Sequence, residues 1–266
     1  MYKNDLTQEL INLAKSYGLT RFGKEYLHPN ENTNSSIIFK DISYNFHPKS
    51  WKKIIEDPLF RERTEKTHSK TVTKGLLEMQ SSNSSDALAM NIFCFPDFTK
   101  WKGSQLLFDV KSFKSIKFGY KPKVKKYDGK NYSEDNTEVD VFINESIILE
   151  CKLTEEGFYH KQKDEVEKYV DFKNVFHTEK LIQNTESYLN YQLIRNILAA
   201  HQIKGQFRLL CDIRRPDLVK SFYQTIRCIK DEHIVLRLNC EIIFWQDINR
   251  IMGKELKKFL KEKYGI

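Results

Sequence analysis

The chain has 266 residues, 40% hydrophobic and 13% aromatic, which is enough for a substantial core and excludes a disordered chain. Forty-four Lys and Arg stand against 36 Asp and Glu, a formal charge of +8 that leans towards a polyanionic partner such as nucleic acid. Cys94, Cys151, Cys211, Cys228 and Cys240 form no C-x-x-C pair, no apolar stretch approaches the ~18 residues of a membrane-crossing helix, and "MYKNDLTQEL" is polar; these features argue against a disulfide frame, a zinc site, a membrane protein or a secreted one, and the expectation is a soluble cytoplasmic protein.

Residues 5–17 place apolar side chains at helical spacing, with Asp5 as a cap. Residues 18–50 read as a loop with room for a short strand at 36–39, and Ser50 stands where it can cap a helix over 50–65 that Pro58 ends or restarts. This predicts a mostly helical N-terminal extension, 1–70, ahead of a main domain, 71–266. Residues 71–93 read as a long helix or a broken pair, the second helix starting near Ser85. "QLLFDVKSFKSIKF", 105–118, reads as a kinked strand, and 119–136 as a polar connection with a turn at Asp128–Gly129. Two strands follow around Asn144–Glu145–Ser146. Beyond them the pattern predicts helix at 163–176 and 184–203, strand at 205–213, a helix from Pro216 or Asp217, strands at 233–239 and 241–245, and a closing basic helix from Asp247. Strands alternating with helices around a central hairpin predict an α/β fold with a mixed central sheet flanked by helices.

The chemistry concentrates in "TEVDVFINESIILECK", 137–152. Asp140 and Glu150 lie ten residues apart across a turn, so a tight hairpin sets them opposite each other, and Glu150 and Lys152 point to one face of their strand. Two carboxylates can share a hard divalent cation such as Mg²⁺, and a lysine beside them can position a water and stabilise charge on a phosphate, which suits metal-assisted phosphodiester hydrolysis. The residues alone leave a second reading open: a solvated strand face with a cross-strand ion pair. Charges inside apolar runs are costly without a partner or a metal, which strengthens the first reading and leaves both open.

"EVDVFI", "IILECKLTE", "SSDALAMNIF", "YLNYQLIRN" and "IIFWQDI" together resemble the PD-(D/E)xK nuclease superfamily, in particular a bacterial group of restriction endonucleases, over about residues 70–250. The resemblance implies a restriction-endonuclease-like core and Mg²⁺-dependent DNA cleavage, with Mn²⁺ as a substitute. Asp140 and Glu150 would be metal ligands, the Cys151 carbonyl a further one, and Lys152 the catalytic lysine. Val139 stands in place of the motif's proline, which the chemistry does not require. The superfamily often places a glutamine after the hairpin, as Gln192 does here, and some members add an acid from the preceding helix, a role for which Glu78 and Asp86 compete; Glu138 is a further nearby acid. Enzymes of this kind often act as homodimers. The rivals are a repair or mobile-element nuclease on the same core, and a non-catalytic DNA-binding protein. The lysines between 121 and 130, with Tyr120 and Tyr127 among them, are placed to embrace a phosphate backbone or to form a solvated hairpin tip.

Overall fold

A computed structural model describes residues 2–29, 35–67 and 75–266. The chain divides into two compact units: Met1–Phe113 with Asp212–Arg214 and Phe244–Ile266, and Lys114–Cys211 with Arg215–Ile243. The expected extension of residues 1–70 thus belongs to a larger unit that also takes in the end of the chain.

The first unit is helical: Tyr2–Phe22, Pro48–Glu56, Pro58–Thr64, Ser85–Phe93, Lys102–Leu107, Trp245–Ile251 and Lys254–Tyr264. Ser84 caps the helix from Ser85 by accepting from the Ala87 amide at 3.1 Å, and Asp57 restarts the chain after its break by accepting from Leu59 at 3.0 Å. Ser50 is not a cap. His47 takes that role, its ring nitrogen accepting from Lys49, while Ser50 lies inside the helix and donates to the Asn91 carbonyl at 2.7 Å. The predicted strand at 105–118 is partly a helix, because a turn at Lys102–Leu107 delivers Phe108 into a ring cluster with Phe93, Phe98 and Phe113 at centroid distances of 5.6, 6.3 and 5.9 Å. The closing helix is broken at Met252–Gly253.

The second unit is built on a mixed five-stranded sheet. Its strands are β1 (Ile116–Tyr120), β4 (Val139–Ile143), β5 (Ile147–Cys151), β8 (Gln206–Cys211) and β9 (Cys240–Phe244), in the order β1-β4-β5-β8-β9. β2 (Val124–Tyr127) pairs with β3 (Tyr132–Asp135), a ribbon hidden within the predicted polar connection, and β6 (His160–Gln162) pairs with β7 (Ser187–Leu189). The β1–β4 and β4–β5 pairings are antiparallel and β5–β8 is parallel. Every residue of β5 is buried, as in a strand covered on both faces. The helix Tyr191–Gln202 packs on β5 and β8 through Leu193, Ile194, Ile197 and Leu198. It starts later than its apolar pattern suggests, because Asn190 takes a left-handed conformation (φ 57°) and separates it from β7. The helix at 163–176 is two short turns, Lys163–Val166 and Phe172–Val175, and the strand predicted at 233–239 is largely the helix Ile234–Leu238. A short apolar run looks alike in both periodicities until its neighbours decide.

Gly205 sets how β8 enters the sheet. A Cβ there would stand 2.1 Å from the Ser146 carbonyl oxygen, to which the next amide, Gln206, donates at 2.8 Å. Only glycine allows so close an approach.

Candidate active site

The hairpin turns through Asn144 and Glu145, both left-handed (φ 53° and 57°), the geometry that suits the twist of a tight hairpin. The Asn144 side chain accepts from the Lys114 amide at 2.7 Å, tying the turn to the start of β1. The register pairs Val141 with Leu149 and Phe142 with Ile148, so one step further sets Asp140 opposite Glu150 on a single face. On the other side the β1 register brings Gly119 against Asp140, where it contributes no side chain, and Asp140 is half-buried.

Glu150 and Lys152 are buried. The Lys152 Nζ lies 2.7 Å from Glu150 Oε1 and donates to Gln192 Oε1 at 3.1 Å; Asn196 Nδ2 donates to Glu150 Oε2 at 2.8 Å. The Cys151 amide donates to Asp140 Oδ2 at 2.6 Å, and the Lys152 amide to the Leu210 carbonyl of β8 at 2.8 Å. Burial works against the Lys152 charge, but the carboxylates of Glu150, Glu155 and Asp140 outweigh it and hold its pKa above the ordinary lysine value. A buried ion pair of this kind survives because its remaining polar atoms are also bonded.

The donor set fits a hard divalent cation. Asp140 and Glu150 offer carboxylate oxygens on adjacent strands, with the Cys151 peptide between the acid and the lysine. Each carboxylate oxygen has two acceptor directions, so the bonds to Cys151, Asn196 and Lys152 orient the acids without exhausting them. Among the described residues no group of three or more His, Cys, Asp or Glu is placed to hold a metal ion. Two carboxylates and a carbonyl instead suit an ion that keeps several waters.

Of the residues singled out in the sequence, Asp140, Glu150, Cys151, Lys152 and Gln192 come together. Glu78 and Asp86 belong to the first unit, where Glu78 pairs with Lys66 at 3.1 Å and Asp86 with Arg63 at 2.7 Å. Glu138 lies 3.9 Å from Lys121. Tyr188 is on β7, and Arg195, three residues after Gln192 on its helix, is buried, bonded to the Thr137 carbonyl and to Asn196 Oδ1 (3.0 Å), and 4.0 Å from Asp135. Burial opposes the Asp135 charge, but hydrogen bonds from Thr137 and Tyr169 and the Arg195 charge bring its pKa down to about 2.

The sequence reading missed Asn196. Asn196 stands four residues after Gln192 and so shares its helix face, a signal that could have found it. Buried Arg215 donates to the carbonyls of Leu153 (2.9 Å) and Glu155 (3.0 Å) and pairs with Asp217 (2.8 Å), which clamps the loop after Lys152; no local pattern marks that link. Arg214, in the first unit, pairs instead with Asp212 and Glu9, both at 2.6 Å.

Among the described residues no helix is long and apolar enough to cross a membrane. Neither the curated proteins nor the solved structures returned a match. The family described as "Restriction Endonuclease associating with ARP" matches residues 20–265, spanning both compact units and the whole Asp140–Lys152 hairpin, so the chain belongs to that restriction endonuclease family.

Proposed function

We propose that the protein is a metal-dependent endonuclease that hydrolyses DNA phosphodiester bonds in a restriction system. The observation that carries this reading is the convergence of Asp140, Glu150 and Lys152 on one face of two paired strands, with Gln192 and Asn196 bonded to the lysine and the acid. Asp140, Glu150 and the Cys151 carbonyl would hold Mg²⁺, for which Mn²⁺ can substitute. When bound, the ion activates water and offsets phosphate charge. Lys152, an ammonium braced by Glu150 and Gln192, supplies a positive donor to the negative charge that builds on the phosphate oxygens. Asn196 keeps the Glu150 carboxylate turned to its task.

The β2–β3 ribbon supports a duplex substrate. Lys123, Lys125 and Lys130 are exposed on or beside it, and Tyr127 and Tyr132 bring their rings to 4.8 Å near its tip. A two-stranded ribbon fits the DNA major groove. Cutting both strands takes two catalytic sites, which a homodimer provides. The family's description names an association with ARP, and we carry that partner to this chain.

Plasmid DNA with Mg²⁺ or Mn²⁺, and EDTA as the control, tests the proposal. We expect cutting by the wild type that EDTA, Asp140→Ala and Lys152→Ala each abolish. A folded wild type that binds DNA but never cuts it would point to a non-catalytic DNA-binding protein, and cutting without sequence preference to a repair or mobile-element nuclease.

A further inference from the structure

The loop from Lys152 to β6 carries an aromatic side chain that packing does not explain. Tyr159 is 68% exposed, yet its backbone is left-handed (φ 51°), a conformation that a bulky residue rarely adopts. The neighbouring bonds impose it. The Tyr191 amide donates to the Tyr159 carbonyl and the Gln192 amide to the Phe158 carbonyl, both at 3.0 Å, and Arg215 holds the other end of the loop through Leu153 and Glu155. Phe158 is buried beneath, so the loop is anchored on both sides of the exposed ring.

That ring stands beside the chemistry. Its centroid is 5.9 Å from Lys152 Nζ, and the next residues, His160, Lys161 and Gln162, are exposed along β6. An aromatic face open to solvent, a basic residue two positions on and a catalytic lysine underneath form the arrangement that grips a nucleic-acid strand by stacking and charge. Backbone strain held in place by its surroundings is found where a side chain must be presented to a ligand.

We propose that Tyr159 is a nucleobase-stacking residue of this active site, gripping the base that flanks the phosphate to be cut once that base is unstacked from the duplex. The inference rests on the nuclease reading and deepens it. Tyr159 binds substrate and is no part of the metal site, so its loss acts on the DNA affinity and on KM.

The test is fluorescence anisotropy with a labelled duplex oligonucleotide of mixed sequence, for Tyr159→Phe and Tyr159→Leu, each in the wild type and in Lys152→Met. Stacking predicts that Leu weakens binding about tenfold or more while Phe stays within about twofold, equally in both backgrounds. The Lys152→Met background removes the ammonium, so a ring that serves only as a lid on the lysine would lose its effect there, and Leu binding as tightly as Tyr in that background overturns the proposal. Tyr159→Gly relieves the backbone strain; we expect a thermal midpoint equal to or above the wild type together with the same loss of binding, and retained binding again overturns the proposal. Metal-dependent cutting by the wild type with unchanged affinity in Tyr159→Leu removes this inference alone, whereas a folded wild type that neither binds nor cuts DNA removes the nuclease reading with it.

Discussion

Two asparagine and lysine positions carry the sharpest consequences for single residues. Asn196 is the partner that turns the buried Glu150 carboxylate, through a 2.8 Å bond. Asn196→Ala should lower the cutting rate by about 10- to 100-fold and raise the Mg²⁺ concentration needed, because partners of metal-binding acids act through orientation and affinity; a metal titration of the plasmid-cutting rate reads this directly. Lys263, in the first unit, is only 1% exposed, and its Nζ donates to the Tyr264 hydroxyl at 2.6 Å and the Ser82 carbonyl at 3.5 Å. Burial lowers its pKa well below the ordinary lysine value. The folded state therefore binds the amine's proton less readily than the unfolded chain does. Stability rises with pH towards the ordinary lysine pKa and falls as the pH drops below it. Lys263→Met should raise the urea midpoint below the ordinary lysine pKa and flatten its rise with pH, a comparison that urea melts at several pH values settle.

Among the elements, the hairpin and the entry to β8 decide whether the site forms. Periodicity showed the hairpin plainly, since both strands alternate or run apolar and Asn144–Glu145 suits the turn. It misread 105–118 and 233–239, where ring packing around Phe108 and the turn at Ile234–Leu238 override short apolar runs. It also passed over the β2–β3 ribbon, whose lysines and acids resemble loop composition. Gly205→Ala would drive a methyl group against the Ser146 carbonyl oxygen, now 2.1 Å from the position a Cβ would take. We expect a loss of about 1–3 kcal/mol, the usual range for forcing atoms into a packed site, measured as a lower chemical-denaturation midpoint. Because that turn aligns β8 with β5, cutting activity should fall along with stability.

At the scale of the whole molecule, all five cysteines are free and buried, as their scattered apolar settings suggest. Burial pushes the Cys94 and Cys240 thiols up to about 12, and deeply buried thiols meet reagents slowly. A thiol-reactive dye near pH 8 should therefore label the native protein little, and five sites per chain once it is unfolded. Native labelling of several sites would contradict the burial. The formal charge of +8 would make the proposed DNA binding an electrostatic event. The affinity should fall steeply as salt rises, because each phosphate contact releases counterions, and charge substitutions such as Lys125→Ala or Lys130→Ala on the ribbon should make the slope shallower by about one unit each.

Sequence alone determined what depends on near neighbours: the α/β alternation, the hairpin, the spacing that sets Asp140 opposite Glu150 and Lys152 on the same face, and the helix that carries Gln192. Those features follow from periods of two and 3.6 residues, which a local pattern records. Tertiary structure alone decided what depends on distant chain segments. It joined residues 1–113 to the end of the chain in one unit and set Glu78 and Asp86 there. It turned Asn196 onto Glu150, sent Arg215 back to the loop after Lys152, and left Tyr159 strained and exposed beside Lys152. Burial and long-range hydrogen bonds fix such partners, and no short-range spacing encodes them.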